Sequence, residues 1–241
     1  MISWHTLGDL MVSNLLTELA MLVVPVACAG CGLPDQRVCD PCLGWLAGPL
    51  RRVEPPRLDM LSREPLLPVW ALGDYQGTSR NAILAWKNRG RADLDTLFGA
   101  ALRMELADRP LGVPGFDVVV PMPSSAAHVR ARGRHHLTRV AGEVAGGCGA
   151  AIWPVLRKRR TRGQVGLSAR ARGSAAVTVR PGALRHRHRR NTSPSRVLLF
   201  DDVVTTGATL AAAHSALTAA GHQVVGAVVL AATPPRQSPS M

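Results

Sequence analysis

The chain has 241 residues, a formal net charge of +13 and 46% hydrophobic residues, of which few are aromatic. This length and apolar content are enough to bury the core of one ordinary domain with a small appendage, which excludes a globally disordered protein. The charge is uneven, because residues 130–190 contain 16 basic residues and one acid, whereas the rest of the chain is nearly neutral. Such a stretch predicts an anionic partner such as nucleic acid or polyphosphate, with a merely solvated loop as the alternative.

The N-terminal segment predicts an amphipathic helix packed on the body of the protein. Its apolar residues recur at helical spacing: Leu7, Leu10, Met11, Leu15 and Leu19. Polar residues interrupt this stretch, and the clean apolar run over residues 19–29 is too short to cross a bilayer. We therefore expect neither a signal peptide nor a membrane span, and a cytoplasmic location.

Four of the five cysteines form two CxxC pairs, Cys28 with Cys31 and Cys39 with Cys42, separated by seven residues. Two such pairs present four thiolates to one tetrahedral Zn²⁺, and the glycines beside the first pair relieve strain in its turn. Because four protein ligands leave no open coordination position, the predicted zinc is structural rather than catalytic. A redox dithiol and a disulfide pair are the alternatives.

Composition divides the chain into three predicted parts: residues 1–50 with the helix and a four-cysteine zinc knuckle, a Pro- and Arg-rich connector over 51–67, and a globular domain over 68–241. In the last part, strand-like and helix-like segments alternate. Strands are expected at 69–72, 116–120, 151–156, 197–200 and 224–231, and helices at 79–87, 94–106, 137–145 and 208–219. Pro154 puts its strand at an edge or a bulge. Continuous apolar strands that alternate with helices predict an α/β fold with a parallel sheet covered on both faces.

The segment over residues 197–210 has the most specific chemistry. An apolar strand leads into Asp201 and Asp202, then into a loop rich in Thr and Gly over 205–209, and then into a helix. The N–H groups and positive dipole end of the helix, with the threonine hydroxyls, suit a phosphate monoester. The carboxylates repel phosphate and suit sugar hydroxyls or Mg²⁺. This order predicts a sugar-phosphate site, the alternative being a Thr N-cap after an acidic turn.

This segment resembles the phosphoribosyl pyrophosphate (PRPP) signature of type I phosphoribosyltransferases. Nearly the full chain is similar to the ComF family of competence-associated phosphoribosyltransferase-like proteins, in which a two-CxxC knuckle precedes such a domain. Further matching pieces occur in order along the chain: Tyr75 with Ala82–Lys87, Asp117–Pro123, Arg132-Gly133, and then Arg157, Thr161, Gln164, Leu167 and Arg172. The resemblance implies a type I phosphoribosyltransferase-like parallel sheet flanked by helices, with a small N-terminal zinc-binding module of four cysteines.

The resemblance also implies roles for individual residues. Asp201 and Asp202 bind the ribose hydroxyls and, with Arg172, are the candidate catalytic residues. The remaining PRPP-binding residues are Val203, Val204, Thr205, Thr206, Gly207, Ala208 and Thr209 around the 5′-phosphate, and Ser124 and Ser125 near the pyrophosphate. A basic loop over roughly residues 157–172 closes over the site. Candidates for contact with pyrophosphate or nucleic acid are Lys87, Arg132, Arg157, Arg159, Arg160 and Gln164.

The sequence departs from the family pattern at two places. Arg134, His135 and His136 replace a Phe-Asn-Gln, and Ala175 stands where an Asn is expected. The two histidines are interpreted either as acceptor-site bases or as exposed polar residues at the start of a basic helix.

Two functions are compatible with these features. The first is a Mg²⁺-dependent phosphoribosyltransferase that uses PRPP, with an unknown acceptor and a link to DNA uptake. The second is a non-catalytic accessory of a helicase-like competence protein that binds single-stranded DNA, with PRPP or phosphate as a regulator. Trp153 is the only aromatic residue in the basic stretch, so DNA contacts would be mainly to phosphates and sensitive to salt.

Overall fold

The computed structural model describes residues 26–55, 67–107, 112–124, 133–158, 177–180 and 194–234. The predicted N-terminal helix lies outside these residues. Also outside them are Ser125, Arg132, Arg159, Arg160, Gln164, Arg172 and Ala175.

Eight strands and five helices make up the described part of the chain. The strands are β1 (Arg51–Val53), β2 (Val69–Asp74), β3 (Val118–Pro121), β4 (Ala151–Ile152), β5 (Leu156–Lys158), β6 (Val177–Val179), β7 (Arg196–Val204) and β8 (Gln223–Ala232). The helices are α1 (Asp40–Leu43), α2 (Gly77–Asn88), α3 (Leu94–Ala107), α4 (His136–Gly147) and α5 (Ala208–Thr218). No helix in the described ranges has both the length and the apolar surface needed to cross a membrane.

Six strands form the main sheet in the order β1-β2-β8-β7-β3-β4. All pairings in it are parallel except that of β1 with β2. Every residue of β3 is buried, and so are the last eight residues of β8, because strands in the centre of such a sheet are covered on both faces. The predicted parallel sheet is confirmed. The antiparallel edge strand β1 lies within the predicted connector.

The predicted elements of the main sheet and its helices are present, most with ends shifted by one or two residues, and two of the strands differ more. The strand expected to stop at Phe200 continues to Val204, because β8 is long enough to pair with it as far as Ala232. The two acids are therefore part of a strand. The strand expected over 151–156 divides at Pro154, which has no N–H to donate. Its first part, β4, is the edge of the main sheet, and its last residue begins the β5–β6 ribbon, which is antiparallel.

Candidate functional site

The four thiols predicted to bind zinc lie together, with all Sγ atoms within 4.8 Å of one another. The Sγ atom of Cys39 lies 3.6 Å from that of Cys28 and 3.5 Å from that of Cys31. A tetrahedral Zn²⁺ with bonds of about 2.3 Å separates its sulfur ligands by about 3.8 Å, so the cluster has the size that the metal needs. All four are free thiols, and only Cys31 is exposed. These residues fit a closed structural metal site.

The environment of the cluster favours thiolates unequally. Burial raises the pKa of the Cys28 thiol, but backbone N–H groups that donate to the sulfur outweigh it and bring this pKa down to about 6. One of them is the N–H of Cys39, at 3.3 Å. Burial and the neighbouring thiols raise the pKa of Cys42. A bound cation would favour the thiolate at every position, because a coordinating thiol is deprotonated.

Gly30 allows the knuckle, residues 28–42, to close. A β-carbon at this position would lie 2.8 Å from the Sγ atom of Cys42 and 3.2 Å from the Cβ atom of Thr78, closer than carbon and sulfur atoms pack. The glycine thus lets the first CxxC turn approach both the second pair and the first turn of α2.

The knuckle is tied to α2 and to the turn after it. The side chain of Asn81 donates a hydrogen bond to the carbonyl oxygen of Gly30 at 2.9 Å. The Arg91 guanidinium donates to the carbonyl oxygens of Ala27, at 2.7 Å, and Arg37, at 3.0 Å. It also pairs with Asp93 at 2.7 Å, which fixes its direction. Helix α2 therefore connects the knuckle to the sheet.

The two acids at the carboxyl end of β7 lie in different environments. Asp201 is half-buried, and its Oδ1 atom accepts a hydrogen bond from the N–H of Asp202 at 2.9 Å. Asp202 is only 5% exposed, and its Oδ1 atom accepts from the N–H of Val203 at 2.8 Å. Successive side chains of a strand point to opposite faces, so the adjacent acids face different surroundings.

Asp202 has two partners from distant parts of the sequence. The Nζ atom of Lys87, in the last turn of α2, lies 2.5 Å from its Oδ2 atom. The Nε2 atom of His136, the first residue of α4, lies 3.6 Å from the same oxygen. Burial raises the pKa of Asp202, but the hydrogen bond from His136 and the charge of Lys87 outweigh it and lower this pKa to about 2. Burial and the negative charge of Asp202 raise the pKa of Asp201 instead.

A second buried carboxylate, Asp95 in α3, holds the residues beside these two partners. Its Oδ1 atom accepts hydrogen bonds from Trp86 Nε1 and from the Arg134 guanidinium, each at 2.6 Å. Its Oδ2 atom pairs with Arg139 at 3.0 Å. Arg134 also donates to the carbonyl oxygen of Trp86 at 2.8 Å. We call Asp95, Trp86, Arg134 and Arg139 the Asp95 cluster.

The structure assigns His135 and His136 to different surroundings. His136 is 1% exposed, and its ring packs edge-on against Trp86 with the centroids 4.7 Å apart. The interpretation as an exposed polar residue at a helix start is therefore wrong for His136, because its position at the beginning of α4 faces the interior. His135 is exposed.

The loop between β7 and α5 has the geometry expected of an anion site. Thr205 and Thr206 are exposed, and the hydroxyl of Thr206 accepts a hydrogen bond from the N–H of Ala208 at 3.4 Å. Gly207 has a φ of +79°, a left-handed conformation that glycine adopts without strain. This turn joins the carboxyl end of β7 to the first turn of α5, whose N–H groups and dipole favour an anion.

The carboxyl end of β3 lies beside the carboxyl end of β7, where the two acids are. The N–H of Met122 donates to the carbonyl oxygen of Phe200 at 2.8 Å, which places the turn that leads to Ser124 next to Asp201. Ser124 is half-buried.

Arg157 is exposed on the β5–β6 ribbon, where its Nε atom donates to the hydroxyl of Thr178 at 3.3 Å. The two strands of this ribbon form the base of the predicted basic loop.

The sequence singled out the acids and the loop as candidate site residues, but it did not predict the Asp95 cluster. One signal was available: Asp95 lies on the apolar stripe of its helix, with Phe98, Gly99 and Leu102, all of which are buried. An acid on such a stripe requires buried partners, because an unpaired buried charge is very unfavourable. The pairing of Lys87 with Asp202 had no comparable signal, since the two residues are far apart in sequence.

A parallel α/β sheet with acids and a phosphate-type loop at the carboxyl end of a central strand defines a class of nucleotide- or sugar-phosphate-binding folds. The family model of the phosphoribosyl transferase domain matches residues 140–240. The match includes β7, both acids, the loop and α5, so this part of the chain is similar to a phosphoribosyl transferase domain. Together with the sheet, it confirms the predicted fold class. It covers 101 of the 241 residues and does not include the knuckle.

Individual relatives are similar to parts of the chain. An adenine phosphoribosyltransferase of Frankia casuarinae is 66% identical over 35 residues, which are 14% of this chain and 19% of that protein. The match therefore spans about a fifth of the relative's length. The adenine phosphoribosyltransferase structure from Rhodothermus marinus is 21% identical, with a TM-score of 0.40, 80% of this chain covered and 88% of that one. The corresponding Leishmania donovani structure is 14% identical, with a TM-score of 0.42, and 76% and 75% covered.

Proposed function

We propose that the protein binds PRPP and acts as a phosphoribosyltransferase of the ComF type, with an acceptor still to be identified. One observation carries this proposal: within the matched domain, β7 leads through Asp201 and Asp202 into the exposed Thr205-Thr206-Gly207 turn and the start of α5. An anion-binding turn directly after a pair of carboxylates suits a ligand with a phosphate and hydroxyl groups, and PRPP has both.

Each part of the site would hold one part of PRPP. Residues 205–209 would bind the 5′-phosphate through backbone N–H groups and threonine hydroxyls. Asp201, half-buried at the end of β7, would accept hydrogen bonds from ribose hydroxyls, with Asp202 beside it. The turn at Ser124 would lie near the pyrophosphate. Mg²⁺ bound with PRPP would offset the charge of the departing pyrophosphate.

The knuckle would hold a structural Zn²⁺. Cys28, Cys31, Cys39 and Cys42 would supply all four ligands, which leaves no position for substrate or water. Its hydrogen bonds to Asn81 and Arg91 support a role in fixing the position of α2.

A knuckle followed by this domain supports assignment to the ComF type, and with it a cytoplasmic role in DNA uptake beside a helicase-like protein. Reduced thiols are typical of that compartment.

The test of PRPP binding compares wild-type protein with the double variant Asp201→Asn plus Asp202→Asn. PRPP with Mg²⁺ should raise the melting temperature of the wild type and leave that of the double variant unchanged. Asp117→Asn is the matched control, because Asp117 is an exposed acid directly before β3, at the amino ends of the strands and away from the acid site. Equal melting curves of the wild type with and without PRPP would refute the proposal. Pyrophosphate release from PRPP with a panel of bases, amines and nucleic acids would then identify the acceptor.

The basic stretch supports a second candidate function, binding of single-stranded DNA as a non-catalytic accessory. Residues 130–190 have a net charge of +15, more than the phosphates of one PRPP molecule need. Arg134 is one residue of this stretch that is already paired, with Asp95, whereas Arg157 and Lys158 are exposed. Neutralising Arg157, Arg159 and Arg160 together should weaken DNA binding and flatten its salt dependence. Unchanged affinity would exclude this stretch as the DNA site, and absence of pyrophosphate release with every acceptor would favour the accessory role.

A further inference from the structure

Asp201 and Asp202 differ in exposure and in the partners that each carboxylate has within the protein. The carboxylate of Asp201 is accessible to a ligand, and its one named partner is a backbone N–H. The carboxylate of Asp202 is almost fully buried and has protein partners at both oxygens: the N–H of Val203 at Oδ1, and Lys87 and His136 at Oδ2. The side chain that faces a bound sugar most directly is therefore that of Asp201.

Lys87 and His136 reach Asp202 from two different helices. Lys87 is in the last turn of α2, and its side chain is 32% exposed, whereas the His136 side chain is 1% exposed. Both are oriented by rigid neighbours: Trp86, which precedes Lys87, donates to Asp95, and Arg134, which lies just before α4, binds Asp95 and the carbonyl oxygen of Trp86. The Asp95 cluster thus fixes the end of α2 to the beginning of α4, at the place where their two side chains meet Asp202.

The contacts of Lys87 and His136 with Asp202 reduce the electrostatic repulsion between the two acids. Two carboxylates on consecutive residues repel each other, and the repulsion grows when water is excluded on ligand binding. A cation at 2.5 Å from Asp202 offsets that repulsion and holds the carboxylate in one orientation. A hydrogen bond to a charged acceptor is about twice as strong as a neutral one, so the orientation is well defined.

We propose that Lys87 and His136 are positioning residues of the sugar subsite: they hold Asp202, whose N–H donates to the Oδ1 atom of Asp201, so that the Asp201 carboxylate presents a fixed acceptor to the ribose hydroxyls. Lys87 acts on the sugar half of the ligand through Asp202 and does not contact the pyrophosphate. This inference rests on the proposed function. It predicts that loss of Lys87 weakens binding of the sugar but leaves binding of pyrophosphate unchanged.

The experiment measures two probes separately by calorimetric titration, ribose 5-phosphate and inorganic pyrophosphate, each with Mg²⁺. Lys87→Met should weaken binding of ribose 5-phosphate about tenfold, the loss of one charge-assisted contact, and change the pyrophosphate affinity less than about twofold. Lys87→Arg, which keeps the cation, should recover most of the sugar affinity. A residue that only stabilised the fold would change both probes alike and would not be rescued selectively.

Arg52→Met is the matched control. Arg52 is an exposed cation on the edge strand β1, and among the described residues it is not one of the ion pairs. The control should leave both affinities within about twofold of wild type. His136→Gln keeps a donor toward Asp202 and should retain sugar binding, whereas His136→Leu should weaken it. If Lys87→Met fails to fold, Lys87→Gln serves in its place.

The outcomes separate this inference from the proposed function. If the wild type binds neither ribose 5-phosphate nor PRPP, the proposed function is refuted and the positioning role with it. If the wild type binds both and Lys87→Met binds ribose 5-phosphate equally well, only the positioning role is refuted. If Lys87→Met loses pyrophosphate binding while it keeps the sugar, Lys87 is a pyrophosphate contact and the inference is wrong.

Discussion

The cysteine knuckle and the acid site at the end of β7 are built in opposite ways. The knuckle takes its four ligands from 15 consecutive residues, 28–42, and tight turns bring them together. The acid site joins Asp202 to Lys87 and His136, which arrive from helices on either side of β3 in the sequence. The first arrangement is local, whereas the second exists only when the sheet and the two helices α2 and α4 are assembled. A single substitution should therefore affect the two regions in different ways.

The largest effect is expected for Cys42→Ser, which removes a buried thiol of the proposed zinc site. Structural zinc contributes many kcal/mol to small metal modules, so the free energy of unfolding should fall by about 3 kcal/mol or more. Zinc content by elemental analysis should drop from one equivalent to a small fraction. The control is Cys148→Ser, at a half-buried cysteine outside the knuckle. Full zinc content in Cys42→Ser would mean that the thiols do not bind the metal as a set of four.

The next largest loss of stability is expected for Asp95→Asn, in the Asp95 cluster beside the acid site. Asp95→Asn leaves the side chain of Arg134, which is 16% exposed, without its carboxylate and should lower the free energy of unfolding by about 3 kcal/mol. Chemical denaturation measures the change, while zinc content should stay at one equivalent. Asp93→Asn is a control at a half-buried acid, with a smaller expected loss of stability because its partner Arg91 keeps its carbonyl contacts. A loss of zinc in Asp95→Asn would contradict the independence of the two regions.

Arg91→Met tests the hydrogen bonds that attach the knuckle to the turn after α2, and it should lower the free energy of unfolding by a smaller amount. It removes hydrogen bonds from a charged donor to the carbonyl oxygens of Ala27 and Arg37, worth about 1–2 kcal/mol because the site is partly solvated. Zinc should remain bound but be lost faster to a chelator, since the knuckle is held less firmly on α2. An unchanged chelation rate would show that the knuckle does not depend on these hydrogen bonds.

The smallest expected effect is a gain in stability, and it concerns Asp201→Asn. Burial and the charge of Asp202 raise the pKa of Asp201 to about 7. Because the folded pKa lies above the unfolded one, the favourable contribution of protonated Asp201 is complete at low pH and is lost as the pH rises through about 7. Asp201→Asn should therefore raise the melting temperature by about 2–4 °C near pH 8 and give no gain near pH 4. An equal gain at both pH values would contradict this cause.

The parts of the fold that could be predicted are those specified by residues close together in the sequence. The apolar run at 197–200 and the helix pattern after Gly207 predicted β7 and α5, because burial and helical periodicity leave a direct trace in sequence. The extension of β7 to Val204 was not predictable in the same way, since charged residues rarely continue a buried strand. It depends on pairing with Val229 to Ala232 of β8.

The sequence by itself determined the knuckle, the alternation of strands and helices, and the order of acids, turn and helix at the candidate site. Each of these depends on residues that are neighbours along the chain, so spacing is enough to specify them. Only the tertiary structure decided that the two acids are unequal, that Lys87 and His136 both belong to Asp202, and that Arg134 is part of an internal ion-pair cluster. The reason is physical: the state of a carboxylate is set by burial and by the charges within a few ångströms, and these come from segments that meet only after folding.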